Sequence, residues 1–294
     1  MAGRRSVGRN VHIYKSSAPE EALGGLLLNQ SVTVKCFLFM LDILLAPSDA
    51  YYVSLRGSSV VLSASDQRLL QPGDYDIIPI SPEGKIVITD EPCILRVYSR
   101  TSTQRLEKFR SQVRSRDGKC VITGVVNPQA QWDLWTGFQA AHVFPLSHGT
   151  LFRQSGLSEF ITNRTGQEDS GINSCQNGLL MQPTIHQLFD SFDISINPDD
   201  NYKVVCFRPD AFGVDGRILD PVCRNPRDER SVRDELLRWH FRQAVLANMR
   251  GAGEPYFEMD FPPGTDMVGE ILSGPQPAER METELFLRLE EVKY

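Results

Sequence analysis

Gly171-Ile172-Asn173-Ser174-Cys175-Gln176-Asn177-Gly178-Leu179-Leu180, followed by Thr184-Ile185-His186-Gln187-Leu188-Phe189-Asp190, is the stretch whose reading decides the fold. The first segment is a polar loop that opens into an apolar run, as a short buried strand does. The second has apolar residues at helical spacing and predicts the start of a helix. Just upstream, Gln139-Ala140-Ala141-His142-Val143-Phe144-Pro145 places a histidine at the end of a strand, with a proline soon after. Downstream, Ile194–Pro198 and Tyr202–Phe207 read as a β-hairpin. The order is therefore strand, loop, strand, helix, hairpin. A histidine lies on the first strand, an asparagine before the second, and a histidine and an aspartate on the helix.

Bulk properties frame this reading. The chain has 294 residues, 41% hydrophobic and 23% charged, which excludes disordered, collagen-like and coiled-coil classes. The net charge of −6 is not that of a dedicated nucleic-acid binder. The charge is unevenly spread, however. From Arg100 to Cys120 seven Lys and Arg face two acids, whereas from Glu254 to Tyr294 ten acids face three basic residues. The basic run leads into the strand–helix segment and offers Arg110, Arg114, Arg116 and Lys119 as phosphate contacts, though it reads equally well as a solvated helix face.

Six cysteines are scattered without a CxxC pair, which points to free, mostly buried thiols in a reducing compartment, hence an intracellular protein of the nucleus or cytoplasm. No long apolar stretch follows Met1-Ala2-Gly3-Arg4-Arg5, so no secretory signal is expected. Val34–Ala46, the most apolar segment, carries Lys35 and Asp42 and is too short to span a bilayer.

Three domains are expected. Residues 1–100 read as a small α+β, β-rich unit. Its elements are a strand over Asn10–Ile13, a buried helix over Val34–Leu45, and short strands at Tyr51–Leu55, Ser59–Ser63, Asp76–Ile80, Lys85–Thr89 and Cys93–Tyr98, with turns at Arg56-Gly57-Ser58 and Gln71–Asp74. This unit carries no catalytic constellation and suits a structural or partner-binding role. Residues 101–250 hold the strand–helix segment between two helices. One covers about 101–115, with Leu106, Phe109 and Val113 on one face. The other covers Val232–Met249, capped by Ser231. Arg116–Gly124 reads as a strand entry and turn. Residues 251–294 are an acidic extension with a last amphipathic helix over Ala278–Leu289.

The ordered set of His142, Asn177 nine residues before His186, and Asp190 four after it resembles the HNH, or ββα-metal, nuclease family, in particular the AHxxP branch common in fungal proteins. The likeness covers residues of roughly 116–207. It implies a metal-dependent endonuclease that hydrolyses DNA phosphodiester bonds. In the family pattern the strand histidine is the general base, which maps onto His142; an imidazole suits proton abstraction near neutral pH. The asparagine, which fixes the loop and orients that base, maps onto Asn177. The metal-binding helix histidine maps onto His186. Asp190, one turn on along the same face, supplies a second ligand. Imidazole plus carboxylate suits Mg²⁺ or Mn²⁺, with Zn²⁺ or Ni²⁺ as alternatives.

Three departures qualify the match. Ala141 stands where many family members have a further ligand. Thr123 stands where some relatives place the second cysteine of a zinc staple, so no structural zinc is expected. The acidic total does not favour phosphate binding. Two other functions therefore stay open: a non-catalytic module that binds nucleic acid or protein, and a pocket that acts on a small molecule. DNA is the expected partner, no membrane is, and the N-terminal domain or the acidic tail could hold a protein. His240, beside Trp239, reads as a packing residue.

Overall fold

In a computed structural model the chain is described over residues 4–46, 50–94, 104–164 and 169–253, with isolated positions at 266, 268, 269, 272 and 281. It is a mixed α+β protein in two units, one drawn from 1–28, 33–97 and 245–294, the other from 29–32 and 98–244.

The first unit is built on a sheet of order β2-β1-β4-β3. β1 (Val11–Lys15) pairs antiparallel with β2 (Ala18–Leu26) and parallel with β4 (Gly73–Pro79), which pairs antiparallel with β3 (Tyr51–Leu55). Alternation sorts the faces: Val11, Ile13, Val53, Tyr75 and Ile77 are buried, while His12 and Asp74 meet on the wet side at 3.2 Å. α1 (Val34–Leu44) supplies the other half of the core through Phe37, Met40, Leu41 and Leu44, with Phe37 against the Tyr75 ring. The Thr33 hydroxyl accepts from the Cys36 amide and caps the helix.

β2 was not among the expected strands: Pro19 is tolerated because the strand is an edge, and Gly25 sits where a side chain would strike the Val11 carbonyl. Other expectations change here. Ser59–Ser63 forms no strand. Val61 makes a single bridge to Ser54, and the valines there remain exposed. Lys85–Thr89 likewise makes only one bridge, Ile88 to Leu45, because its backbone bonds go to the end of α1 rather than to the sheet. Cys93 and Ile94 are not in a strand, and the rest of Cys93–Tyr98 lies outside the described residues, as do the helix expected over Ala278–Leu289, except Met281, and most of the acidic extension.

In the second unit, α2 (Gln104–Asp117) runs two residues further than expected and absorbs Arg116 and Asp117, which read as a strand entry. Gly118, at φ +63°, turns the chain out of the helix. β5 (Gln139–His142) and, beyond the six-residue α3 (Gly149–Gln154), β6 (Gly178–Met181) form an antiparallel pair with His142 opposite Gly178. α4 (Pro183–Asp190) follows at once, with Pro183 in its first turn, completing the ββα order. β7 (Ile194–Asn197) and β8 (Lys203–Cys206) make the predicted hairpin. α2 lies against β6 closely enough that a side chain at 178 would strike Phe109 and Val113, so glycine is required there.

α5 (Asp234–Met249) belongs to the second unit through residue 244 and to the first beyond it. Its His240 is fully buried, stacked on Phe189 and bonded to Ser195 and the Phe189 carbonyl, a packing role as expected. Ser231 does not cap this helix; its hydroxyl donates to the Asn225 carbonyl. All six cysteines are free, and five of them are buried. Among the described residues no helix is long and apolar enough to cross a membrane.

The pivot of the second unit is Arg116. Its side chain is 1% exposed, and all five guanidinium N–H groups are spent. Two go to the Asp117 carboxylate, at 2.6 and 3.0 Å; the others go to the carbonyls of Cys175, Gly178 and Arg230. Asp117 also accepts from the Leu180 amide at 2.8 Å. Removing one partner of a buried ion pair strands the other's charge, at a cost of about 3–5 kcal/mol. Arg116→Met should therefore lower chemical-denaturation stability by about that amount, and a loss below about 1 kcal/mol would contradict this account.

Candidate functional site

The loop that carries Asn177 is held from behind by Arg116, which binds the carbonyls of Cys175 and Gly178 on either side of it. Asn177 is fully buried. Its amide oxygen accepts from the Phe144 N–H at 2.7 Å, and its amide nitrogen donates to the carbonyls of Phe144 and Ile172, at 3.0 and 2.9 Å. Its own carbonyl accepts from the Val143 N–H. Asn177 thus fixes the chain immediately after His142 through the backbone rather than by touching the ring.

Phe109 and Asn173, neither of them proposed as a site residue from the sequence, contact the ring of His142. Phe109 of α2 stacks on it at 3.9 Å between centroids and 9° between planes. Asn173 places its amide oxygen 3.2 Å from Nε2. An amide oxygen can only accept, so Nε2 carries the proton and Nδ1 of the neutral ring holds the lone pair, given that amide orientation. Asn173 sits four residues before Asn177, in the very stretch that decided the fold, but nothing local separates it from an ordinary loop asparagine.

His186 and Asp190 meet as the helical spacing predicts, with Nε2 3.1 Å from the carboxylate. The other ring nitrogen, Nδ1, lies 2.8 Å from the side-chain oxygen of Gln139 on β5. By the same argument Nδ1 is protonated, so in the neutral ring Nε2 presents a lone pair to a carboxylate oxygen. With that amide orientation, a cation between Nε2 and the carboxylate oxygen satisfies both acceptors. Orientation of a ligating imidazole by a carbonyl-type acceptor on its far nitrogen is the usual support for a metal-binding histidine. The pair therefore fits a divalent cation with two side-chain donors. It goes no further, because among the described residues no group of three His, Cys, Asp or Glu converges anywhere, and Ala141 is fully buried and offers nothing.

His186 and Asp190 lie in a cleft of about 560 Å³. One wall is α4, with Pro183 and Gln187; the floor is Phe138, Gln139 and Ala140; the opposite wall is α2, with Arg110 and Arg114. His142 does not line this cleft. It follows Ala140 by two residues on β5 and so shares that strand face.

The four basic candidates separate. Arg110 pairs with the exposed Glu107 at 2.5 Å. Arg114 lies over the Trp135 ring at 5.3 Å, and its Nε is buried without a hydrogen-bond partner. Both face the cleft. Arg116, expected as a surface phosphate contact, is instead the buried pivot described above. Lys119 is tied to Asp220 at 2.6 Å.

Two family models match parts of the chain. A family model described as a domain of unknown function (DUF8573) matches residues 8–83, all but 29–32 of which belong to the first unit. A model described as HNH endonuclease matches residues 120–197, from the turn after α2 to the end of β7. No curated protein and no solved structure matches the chain. The matched span holds His142, Asn177, His186 and Asp190 but not the arginines of α2. Residues 120–197, with their ββα order and their His–Asn–His set, belong to the HNH endonuclease family.

Proposed function

We propose that the second unit is a metal-dependent nuclease that hydrolyses DNA phosphodiester bonds in the cleft between α2 and α4. The observation that carries this reading is the pairing, across one cleft, of the His186–Asp190 pair with two arginines. Arg110 and Arg114 bind and orient a backbone phosphate, for which planar guanidinium donors are well suited. His142, outside the lining but two residues along β5 from the cleft's Ala140, takes a proton from the attacking water on its imidazole. The water oxygen forms the new bond to phosphorus as the bond to the 3′-oxygen breaks. His186 and Asp190 would hold a divalent cation, Mg²⁺ or Mn²⁺, which would supply charge neutralisation at the phosphate and the departing oxygen. Six free thiols accord with the reducing, intracellular setting in which such an enzyme would meet its substrate.

One observation favours a second reading. Ala141 is sealed in the core, so it gives the His186–Asp190 pair no third ligand from β5. A weakly active or inactive domain that binds nucleic acid through Arg110 and Arg114 would need no such ligand.

A nicking assay separates these readings, and a binding titration tests the phosphate path that both share. Supercoiled plasmid incubated with Mg²⁺ or Mn²⁺ should be nicked by the full chain, with nicking abolished by EDTA. His142→Ala should slow it by about 10²–10⁴-fold, as loss of a general base does. Equal nicking by both proteins would rule out this base. In a metal-free binding titration, Arg110→Ala and Arg114→Ala should each weaken DNA binding regardless of its sequence and each reduce the salt slope by about one. An unchanged slope would remove the arginines from the phosphate path.

A further inference from the structure

The loop that precedes β5 has a constitution that the nuclease reading does not use. Residues 125–135 are tightly organised. Val126 bridges to Lys119. The buried Asn127 donates to the Leu134 carbonyl at 2.8 Å and accepts from the Gln129 amide at 3.0 Å. The amides of Trp132 and Leu134 both bond the Gln129 carbonyl. A loop so constrained could fold its apolar side chains inward, yet it holds them out. Trp132 is 65% exposed and Val126 63%, with Val125 and Leu134 exposed as well. Such a concentration of exposed apolar side chains on a rigid support marks a binding surface.

The end of this loop reaches a residue that lines the cleft. Trp135, three residues after Trp132 and thus within about 11 Å of it along the chain, lies under the guanidinium of Arg114, which lines the cleft. At the loop's other end Arg217 donates to the Thr123 carbonyl at 2.9 Å. The loop's one charged residue, Asp133, accepts from the Trp135 indole N–H at 2.6 Å. An apolar, aromatic ledge with a guanidinium at each end matches a polyanion whose bases are open to stacking.

We infer that the 125–135 loop is a stacking ledge for unpaired bases, so that the strand entering the cleft is single-stranded or locally unpaired. The inference rests on the nuclease reading for the identity of the cleft. Indole stacks on the face of any base, whereas duplex bases present only their edges, so such a ledge discriminates by strandedness rather than sequence.

The test uses the full chain in EDTA. Fluorescence anisotropy compares a labelled oligothymidylate of about 15 nucleotides, long enough for one such surface, with a duplex of equal length. The single strand should bind at least about tenfold more tightly. Trp132→Ala should weaken single-strand binding about tenfold and leave the duplex nearly unchanged, while Trp132→Phe should restore most of the loss. Because Trp132 is exposed, the variants should melt as the parent does. Equal or tighter duplex binding would overturn the inference. So would a Trp132→Ala protein that binds the single strand as the parent does, in which case the ledge serves a protein. A parallel Mg²⁺ incubation separates the two claims. Strand-selective binding without cleavage contradicts the nuclease reading alone, and cleavage without strand preference contradicts the ledge alone.

Discussion

Everything at the candidate site hangs on one buried guanidinium. Arg116 ends α2, yet its donors reach the carbonyls of Cys175, Gly178 and Arg230, while Asp117 beside it takes the Leu180 amide. This pair fixes α2 against the start of β6 and shapes the turn from which Asn177 works. A buried ion pair is seldom a large net source of stability, because desolvation offsets most of the attraction. Its value is in specification: five donors with five partners allow one arrangement of helix, loop and strand, and any other leaves a charge or a carbonyl unpaired in the core.

The two halves of the site follow from that arrangement. On one side, α2 brings Phe109 onto the His142 ring, and Gly178 makes the approach possible by having no side chain. On the other, α4 starts immediately after β6, so His186 and Asp190 project beside Gln139 at the far end of β5. The same helix that covers the histidine presents Arg110 and Arg114 to the cleft, because positions one residue apart point to different sides. Arg114 then links the cleft to Trp135 and the loop beyond it.

Much of this was legible locally. β5, β6, α4 and the β7–β8 hairpin follow from short apolar runs and their spacing, and the i, i+4 spacing puts His186 beside Asp190. What was hidden depends on contacts distant in sequence. Arg116 looks like one more basic residue of a charged run, and only the fold shows that it is buried. Gln139 and Asn173 are ordinary polar residues until a histidine arrives from 47 and 31 positions away. In the first unit, β2 was masked by Pro19, Glu20, Glu21 and two glycines, residues that weaken a strand signal but are tolerated at a sheet edge. The valines at 60 and 61 sent the opposite false signal, since β-branched residues pair only when a partner edge is available.

The central claim is that the His186–Asp190 pair is a cation site belonging to a nuclease cleft, with two protein donors and no contribution from Ala141. Isothermal titration of the full chain with Mn²⁺ tests it most directly. The account predicts one bound ion per chain, lost in His186→Ala and retained in His142→Ala. Absence of binding in the parent protein, or binding that survives His186→Ala unchanged, would contradict it.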